Sequence, residues 1–179
     1  MRSGIYLILP LEGHARDQVL AIQERYDPRS FRGWPPHATL AGSSGMGPLD
    51  GDTPLPELRS ALTAIAAETP PIEVPLEPPI RFMQTNVVVL PLDPHGPLRE
   101  LHERIRTAGL RHAPPRFAFT PHVTLSFYPE LTPARARELL AMRVAGPARF
   151  TEIVAYRSFE NRTSRLLMSI PLGMVSGDS

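Results

Sequence analysis

Ile5-Tyr6-Leu7-Ile8-Leu9 is an unbroken apolar run that stops at Pro10. Its length suits a buried strand. Residues 14–26 place Val19, Leu20 and Ile22 among charges and close on Asp27-Pro28, which predicts a helix. Pro35-Pro36-His37-Ala38-Thr39-Leu40-Ala41-Gly42 predicts a short strand entered through proline and left through glycine. Residues 43–53 are rich in Gly, Ser and Asp and predict a loop. Leu58, Leu62, Ile65 and Ala66 fall at helical spacing, so a second helix is expected over about 54–68, with Pro54 near its first turn. Strands follow at 72–76 and 86–92.

The plan then repeats. A helix is predicted over 97–110, with Leu98, Leu101, Ile105 and Leu110 on one face. Thr120-Pro121-His122-Val123-Thr124-Leu125-Ser126-Phe127 predicts a strand. Thr132-Pro133 supplies a cap and a first-turn proline for a helix running to 142. Strands at 150–159 and 165–172 precede a polar tail, 173–179, expected to be flexible. Two similar halves, 1–85 and 86–172, are thus expected within one bilobal domain spanning 1–179, each half carrying one proline-histidine strand.

Composition narrows the chemistry by what is missing. The chain of 179 residues has no cysteine, which excludes disulfides, thiolate metal sites and cysteine nucleophiles. All 19 basic residues are arginine, and without lysine neither a Walker-type phosphate loop nor Schiff-base catalysis is available. A formal net charge of +1 gives no long-range pull on a polyanion, so a nucleic-acid ligand should be small, or an end, rather than a long duplex. No apolar run reaches the length of a membrane span, and the apolar stretch at 5–9 is too short for a signal peptide. A cytoplasmic monomer is expected.

Pro36-His37-Ala38-Thr39-Leu40 and Pro121-His122-Val123-Thr124-Leu125 share Pro-His-x-Thr-Leu. In a chain of this composition, two His-x-Thr-Leu matches arise by chance at about one in a thousand. Residues i and i+2 of a strand face one side, so each histidine projects with its threonine. Packing the halves about an approximate twofold axis would set two imidazoles and two hydroxyls around one cleft. Two imidazoles can serve as base and acid in one turnover, and two hydroxyls can donate to the non-bridging oxygens of a phosphate. This is equipment for in-line displacement at phosphorus without a metal or cofactor. Either histidine could be the base.

On these two motifs the chain resembles the 2H phosphoesterases, the 2′-5′ RNA ligase-like and cyclic phosphodiesterase enzymes. The resemblance covers about residues 3–172. It implies an α+β fold of two pseudo-twofold-related lobes, with antiparallel sheets facing a central cleft and helices outside. It implies metal-free opening of 2′,3′-cyclic phosphates, usually to a 2′-phosphate, with His37 and His122 as the catalytic pair and Thr39 and Thr124 binding the phosphate. The expected substrate is a cyclic-phosphate nucleotide, an RNA 3′ end or a related ADP-ribose cyclic phosphate. The alternatives are a 2′-5′ RNA ligase in RNA end processing and a non-catalytic RNA-end or nucleotide-binding module. Two departures bear on the choice. Bacterial ligase-like members often follow the first motif with Ala-Phe-Leu-Gly and the second with Ala-Arg. Here Ala41-Gly42-Ser43-Ser44 and Ser126-Phe127 stand there, and the run 127–131 is closer to the small cyclic phosphodiesterases. Both changes argue against long RNA.

Trp34, Phe127 and Tyr128 flank the motifs and are candidates to stack on a base. Arg116, nearest the second motif, is the first candidate for a further phosphate contact, ahead of Arg81, Arg157 and Arg162. His95 and His102 lack a third ligand on the same side, so no metal site is expected. His14 and His112 are expected at the surface. Gly42-Ser43-Ser44-Gly45-Met46-Gly47 is expected to be a flexible loop at the cleft rim.

Overall fold

The apolar run at the N-terminus becomes β1 (Gly4–Pro10) in the computed structural model, which describes residues 3–28, 33–127, 131–161 and 163–173. Every residue of β1 is buried, because the strand lies inside a sheet and both its faces are covered. After it come α1 (Gly13–Tyr26), β2 (His37–Ala41), α2 (Leu55–Ala67), β3 (Ile72–Val74), β4 (Ile80–Arg81) and β5 (Val88–Pro91). The second half adds α3 (Pro97–Arg106), β6 (His122–Ser126), α4 (Pro133–Ala141), β7 (Ala148–Phe150), β8 (Glu152–Ser158) and β9 (Ser164–Pro171).

Most elements stand where the hydrophobic pattern predicts them, and their ends have local causes. The α4 helix opens on Thr132, whose side chain accepts from the Arg135 N–H, with Pro133 in the first turn. The α3 helix stops at Arg106, short of the expected 110. The Thr107 hydroxyl donates back to the Glu103 carbonyl, and Gly109 turns the chain with a φ of 81°. β4 was not expected: two residues after a proline carry no readable alternation.

Seven strands form one antiparallel sheet in the order β4-β5-β6-β2-β1-β8-β9, and β3 and β7 form a second, two-stranded sheet. The fold is therefore α+β, with four helices among the described residues and antiparallel pairing. The motif strands β2 and β6 touch at Ala38–Val123 and make the main sheet continuous from one half to the other.

The order also shows that the halves exchange strands. β1 pairs with β2 of its own half and with β8 of the other. β5 pairs with β6 of its own half and with β4 of the other. Neither half's sheet is complete without a strand from its neighbour. One buried cluster runs through both, uniting Leu7, Leu40, Leu62, Leu101, Leu125 and Leu139. Each such leucine contributes about 1.5–3 kcal/mol by leaving water.

Candidate active site

Each motif strand pairs with the first strand of its half in the same register. Pro10 stands opposite His37, Leu9 opposite Ala38 and Ile8 opposite Thr39; the register then shifts, and Leu7 meets Ala41. In the second half Pro91 stands opposite His122, Leu90 opposite Val123 and Val89 opposite Thr124; the register shifts at the same point, and Val88 meets Ser126. The matching stretches Leu7-Ile8-Leu9-Pro10-Leu11 and Val88-Val89-Leu90-Pro91-Leu92 are a second repeat, legible in the sequence beside the two His-x-Thr motifs.

The two motifs meet at Ala38–Val123. Counting one residue either way along this antiparallel pair sets His37 across from Thr124 and Thr39 across from His122. Ala38, Leu40, Val123 and Leu125 face the core, each no more than 1% exposed. The two histidines and two threonines are part-exposed on the opposite face. The twofold relation of the halves thus passes through the Ala38–Val123 pair, with the imidazoles on one diagonal and the hydroxyls on the other.

The imidazoles are held alike. His37 Nδ1 lies 2.7 Å from the Pro35 carbonyl, and His122 Nδ1 lies 2.7 Å from the Thr120 carbonyl. A carbonyl only accepts, so each Nδ1 carries the hydrogen and each neutral ring keeps a bare Nε2 able to take a proton. Burial pushes the His37 pKa down to about 4, against the Pro35 hydrogen bond, which raises it; the charge of His122 lowers it further. Burial also lowers His122, again opposed by its backbone hydrogen bond, to Thr120. Both rings are thus set toward the neutral form in the unliganded protein.

An aromatic ring meets each imidazole edge-on. Trp34 lies 5.7 Å from His37 between ring centroids, and Phe82 lies 5.0 Å from His122. Trp34 is itself wedged in place: it stacks on Tyr156 at 4.9 Å, leans on Tyr6 at 5.4 Å and donates from Nε1 to Ser164 Oγ at 2.9 Å. The sequence reading missed Phe82, which sits beyond β4 in a hairpin with no periodic signal. At Pro10, the register partner of His37, and Pro35, its hydrogen-bond partner, opens a cavity of about 310 Å³ also bordered by Arg16, Glu152, Tyr156 and Leu166.

The other candidates fall in several places. Phe127 directly follows β6 and is 57% exposed. Its backbone N–H donates to Asp27 Oδ2 at 2.6 Å. Tyr128 and Arg162 lie outside the described residues. Arg116 is exposed on the loop leading to β6, and its N–H donates to the Ser43 carbonyl, so it borders the segment after the first motif. Arg81 is engaged in its own hairpin, with Thr85 and Asn86. Arg157 pairs with Asp52 at 3.2 Å. His14 is exposed as expected. His112 is half-buried instead, with Nδ1 against the Ala113 carbonyl. His95 is exposed while His102 is fully buried, so the two do not share a site. Among the described residues no group of three or more His, Asp or Glu side chains could hold a metal ion, and no helix is long and apolar enough to cross a membrane.

Residues 42–47 correct an expectation. They are packed rather than a free rim: Ser44 and Met46 are buried, and backbone bonds tie Gly45 and Gly47 to Phe117 and Ala113. The glycines permit this. A Cβ on Gly45, whose φ is +71°, would lie 2.3 Å from His102 Nε2, and one on Gly47 would lie 2.6 Å from the Ala113 carbonyl oxygen.

The sequence profile described as the 2′-5′ RNA ligase superfamily matches residues 10–162. A Geobacillus kaustophilus protein, provisionally named a phosphoesterase, is 32% identical over 127 residues, covering 70% of this chain and 68% of that protein. Two crystal structures share the fold. E. coli LigT in complex with 3′-AMP superposes with a TM-score of 0.57 at 20% identity, over 97% of this chain and 100% of LigT. The protein TT0787 of Thermus thermophilus superposes with a TM-score of 0.58 at 20% identity, over 94% of this chain and 97% of that one. With its two His-x-Thr strands paired and an identity of this order over this length, the chain belongs to the 2′-5′ RNA ligase superfamily, the 2H phosphoesterases.

Proposed function

We propose that the protein is a metal-independent cyclic phosphodiesterase that opens 2′,3′-cyclic phosphates of nucleotides or RNA ends to a phosphomonoester, the 2′-phosphate. The observation that carries this reading is the pairing of the two motif strands at Ala38–Val123, with His37, Thr39, His122 and Thr124 all part-exposed on the face away from the core. A phosphate at the centre receives a hydrogen bond from each hydroxyl on its non-bridging oxygens and has an imidazole Nε2 on either side. Water attacks phosphorus from one side and gives its proton to one imidazole. The P–O bond to the ribose breaks on the other side, and the second imidazole, protonated, gives its proton to the leaving oxygen. The anionic substrate raises the pKa of the imidazoles it touches, which supplies the one protonated ring this step needs. Burial holds both rings toward the neutral form, so either can take the proton of water while the other, protonated in the complex, serves as the acid.

The cavity at Pro10 and Pro35, with Tyr156 and Leu166 on its border, suits the nucleoside part of a small substrate. That E. coli LigT has been crystallised with 3′-AMP and with NADP+ agrees with nucleotide-sized ligands. The exchange of strands between halves supports a single working unit in which one phosphate is held by both motifs. By microscopic reversibility the same site could join a 5′-hydroxyl to a cyclic phosphate as a 2′-5′ ligase, and we take hydrolysis as the main reaction because water is in excess.

Turnover of 2′,3′-cyclic AMP in EDTA tests the reading, with His37→Ala and His122→Ala alongside. Each variant should lose about 10²–10⁴ in kcat, the usual worth of general acid–base catalysis, and stay folded. Near wild-type turnover by either variant, or loss of activity in EDTA with recovery in Mg²⁺, would overturn it.

A further inference from the structure

Past the Ala38–Val123 pair, β2 and β6 share no further register position. Each also carries a bulge directly after its threonine: Leu40 is passed over in the pairing of β1 with β2, and Leu125 in the pairing of β5 with β6. A bulge interrupts the ladder, leaves backbone groups in need of other partners and re-aims the side chains next to it.

In both halves a helix side chain meets that need. Gln23 on α1 donates from Nε2 to the Thr124 carbonyl at 2.8 Å. His102 on α3 lies with Nδ1 2.9 Å from the Leu40 carbonyl and donates to it. The two helices are equivalent, since each follows the first strand of its own half. Each reaches across to the motif strand of the other half.

Gln23 and His102 are 6% and 0% exposed. Gln23 Oε1 and His102 Nε2 are buried with no hydrogen-bond partner among the described residues. Burying an unsatisfied polar atom is costly; an apolar side chain of similar size would avoid that cost but leave the carbonyl at the bulge without a donor. What the polar residue uniquely supplies is a directed donor at the bulge, beside the threonine.

We propose that Gln23 and His102 are reciprocal positioning residues. Each pins the bulge of the opposite motif strand and thereby fixes where the threonine hydroxyl and its neighbouring imidazole stand at the phosphate. Gln23 acts on Thr124 and His122, and His102 acts on Thr39 and His37. In its kinetic part the proposal rests on the phosphodiesterase reading above.

Gln23→Met keeps the length of the side chain and loses the donor. His102→Phe keeps a ring against Phe119, on which His102 stacks at 4.0 Å, and loses the donor. His102→Asn returns an amide donor near the Nδ1 position. A displacement of about 1 Å in a reacting group can cost on the order of 100-fold, so each donorless variant should lose about 10- to 100-fold in kcat with KM for 2′,3′-cyclic AMP little changed. His102→Asn should recover most of that loss. The coupling must also be selective. Gln23→Met should cost less than about 2-fold when added to Thr124→Val, yet its full amount when added to Thr39→Val; His102→Phe should show the reverse. Equal costs in both threonine backgrounds, or a lowered Tm with unchanged kcat, would overturn the proposal.

A second readout does not depend on turnover. In methyl NMR spectra Gln23→Met should move the Thr124 resonance and leave Thr39 in place, and His102→Asn should move Thr39 less than His102→Phe does. If these selective shifts appear while the wild type turns over no cyclic phosphate, the phosphodiesterase reading fails and the clamp stands. If turnover is normal and the shifts are absent or unselective, the clamp fails alone. Should His102→Phe not fold, Gln23→Met carries both comparisons.

Discussion

Gly42→Ala is a small change aimed at one atom of the site. A Cβ on Gly42 would lie 2.7 Å from Thr39 Cγ2 and 3.1 Å from Tyr6 Cδ1. Gly42 shows no left-handed φ, so the backbone is not what excludes a side chain there. Carbon atoms rest at about 3.5–4.0 Å, so Thr39 must give way by roughly 1 Å or turn to another rotamer. Tyr6 cannot yield in its place, because it is buried and packed against Trp34. Overpacking of this kind costs about 1–3 kcal/mol in stability. The displaced hydroxyl should cost more in function, about 10- to 100-fold in kcat/KM. The assay is kcat/KM for 2′,3′-cyclic AMP beside a urea midpoint, for Gly42→Ala and for the double variant Gly42→Ala/Thr39→Ser. Serine keeps the hydroxyl and lacks the γ-methyl that the new Cβ would strike, so the double variant should recover most of the activity. A loss under about 2-fold in the single variant, or no recovery in the double, would refute the reasoning.

Thr39→Val and Thr124→Val should each cost roughly 10- to 150-fold in kcat/KM, since a hydrogen bond to a charged oxygen contributes about 1.5–3 kcal/mol, while Thr→Ser at either position should cost far less. Stability should fall as pH drops from about 6.5 toward 4: His37 titrates near 4 when folded and near 6.5 when unfolded, so the unfolded chain binds more protons across that window. His102 and His122, also lowered by burial, add to the same slope. Urea midpoints at several pH values should show a shallower slope for His37→Ala, and an unchanged slope would count against the burial argument. A 2′,3′-cyclic mononucleotide and an oligonucleotide with the same end should give similar kcat/KM at low and high salt, because a net charge of +1 provides few backbone phosphate contacts. A large, steeply salt-dependent advantage for the oligonucleotide would restore an RNA-ligating role.

Features that depend only on neighbours along the chain are legible in the residues themselves. The two-residue period of a strand puts His37 with Thr39 and His122 with Thr124 whatever the rest of the fold does. The apolar spacing that marks the helices, and the Thr132-Pro133 start of α4, are likewise set within a few residues. Features that need a partner from far along the chain arise only when the whole core packs. The exchange of β4 and β8 between halves, the meeting at Ala38–Val123 and the bulges after both threonines follow from which strand edges found each other. No periodicity carries that information, because pairing partners are chosen by the packing of the whole core. Gln23 and His102 read in the sequence as an unremarkable helix glutamine and a stray histidine. Their bonds span 101 and 62 residues, and only the folded chain brings each to the motif strand it holds. Gly42 and Gly45 likewise read as loop glycines until Thr39 and His102 close over them, and it is contact at van der Waals distance that leaves no room there for a Cβ.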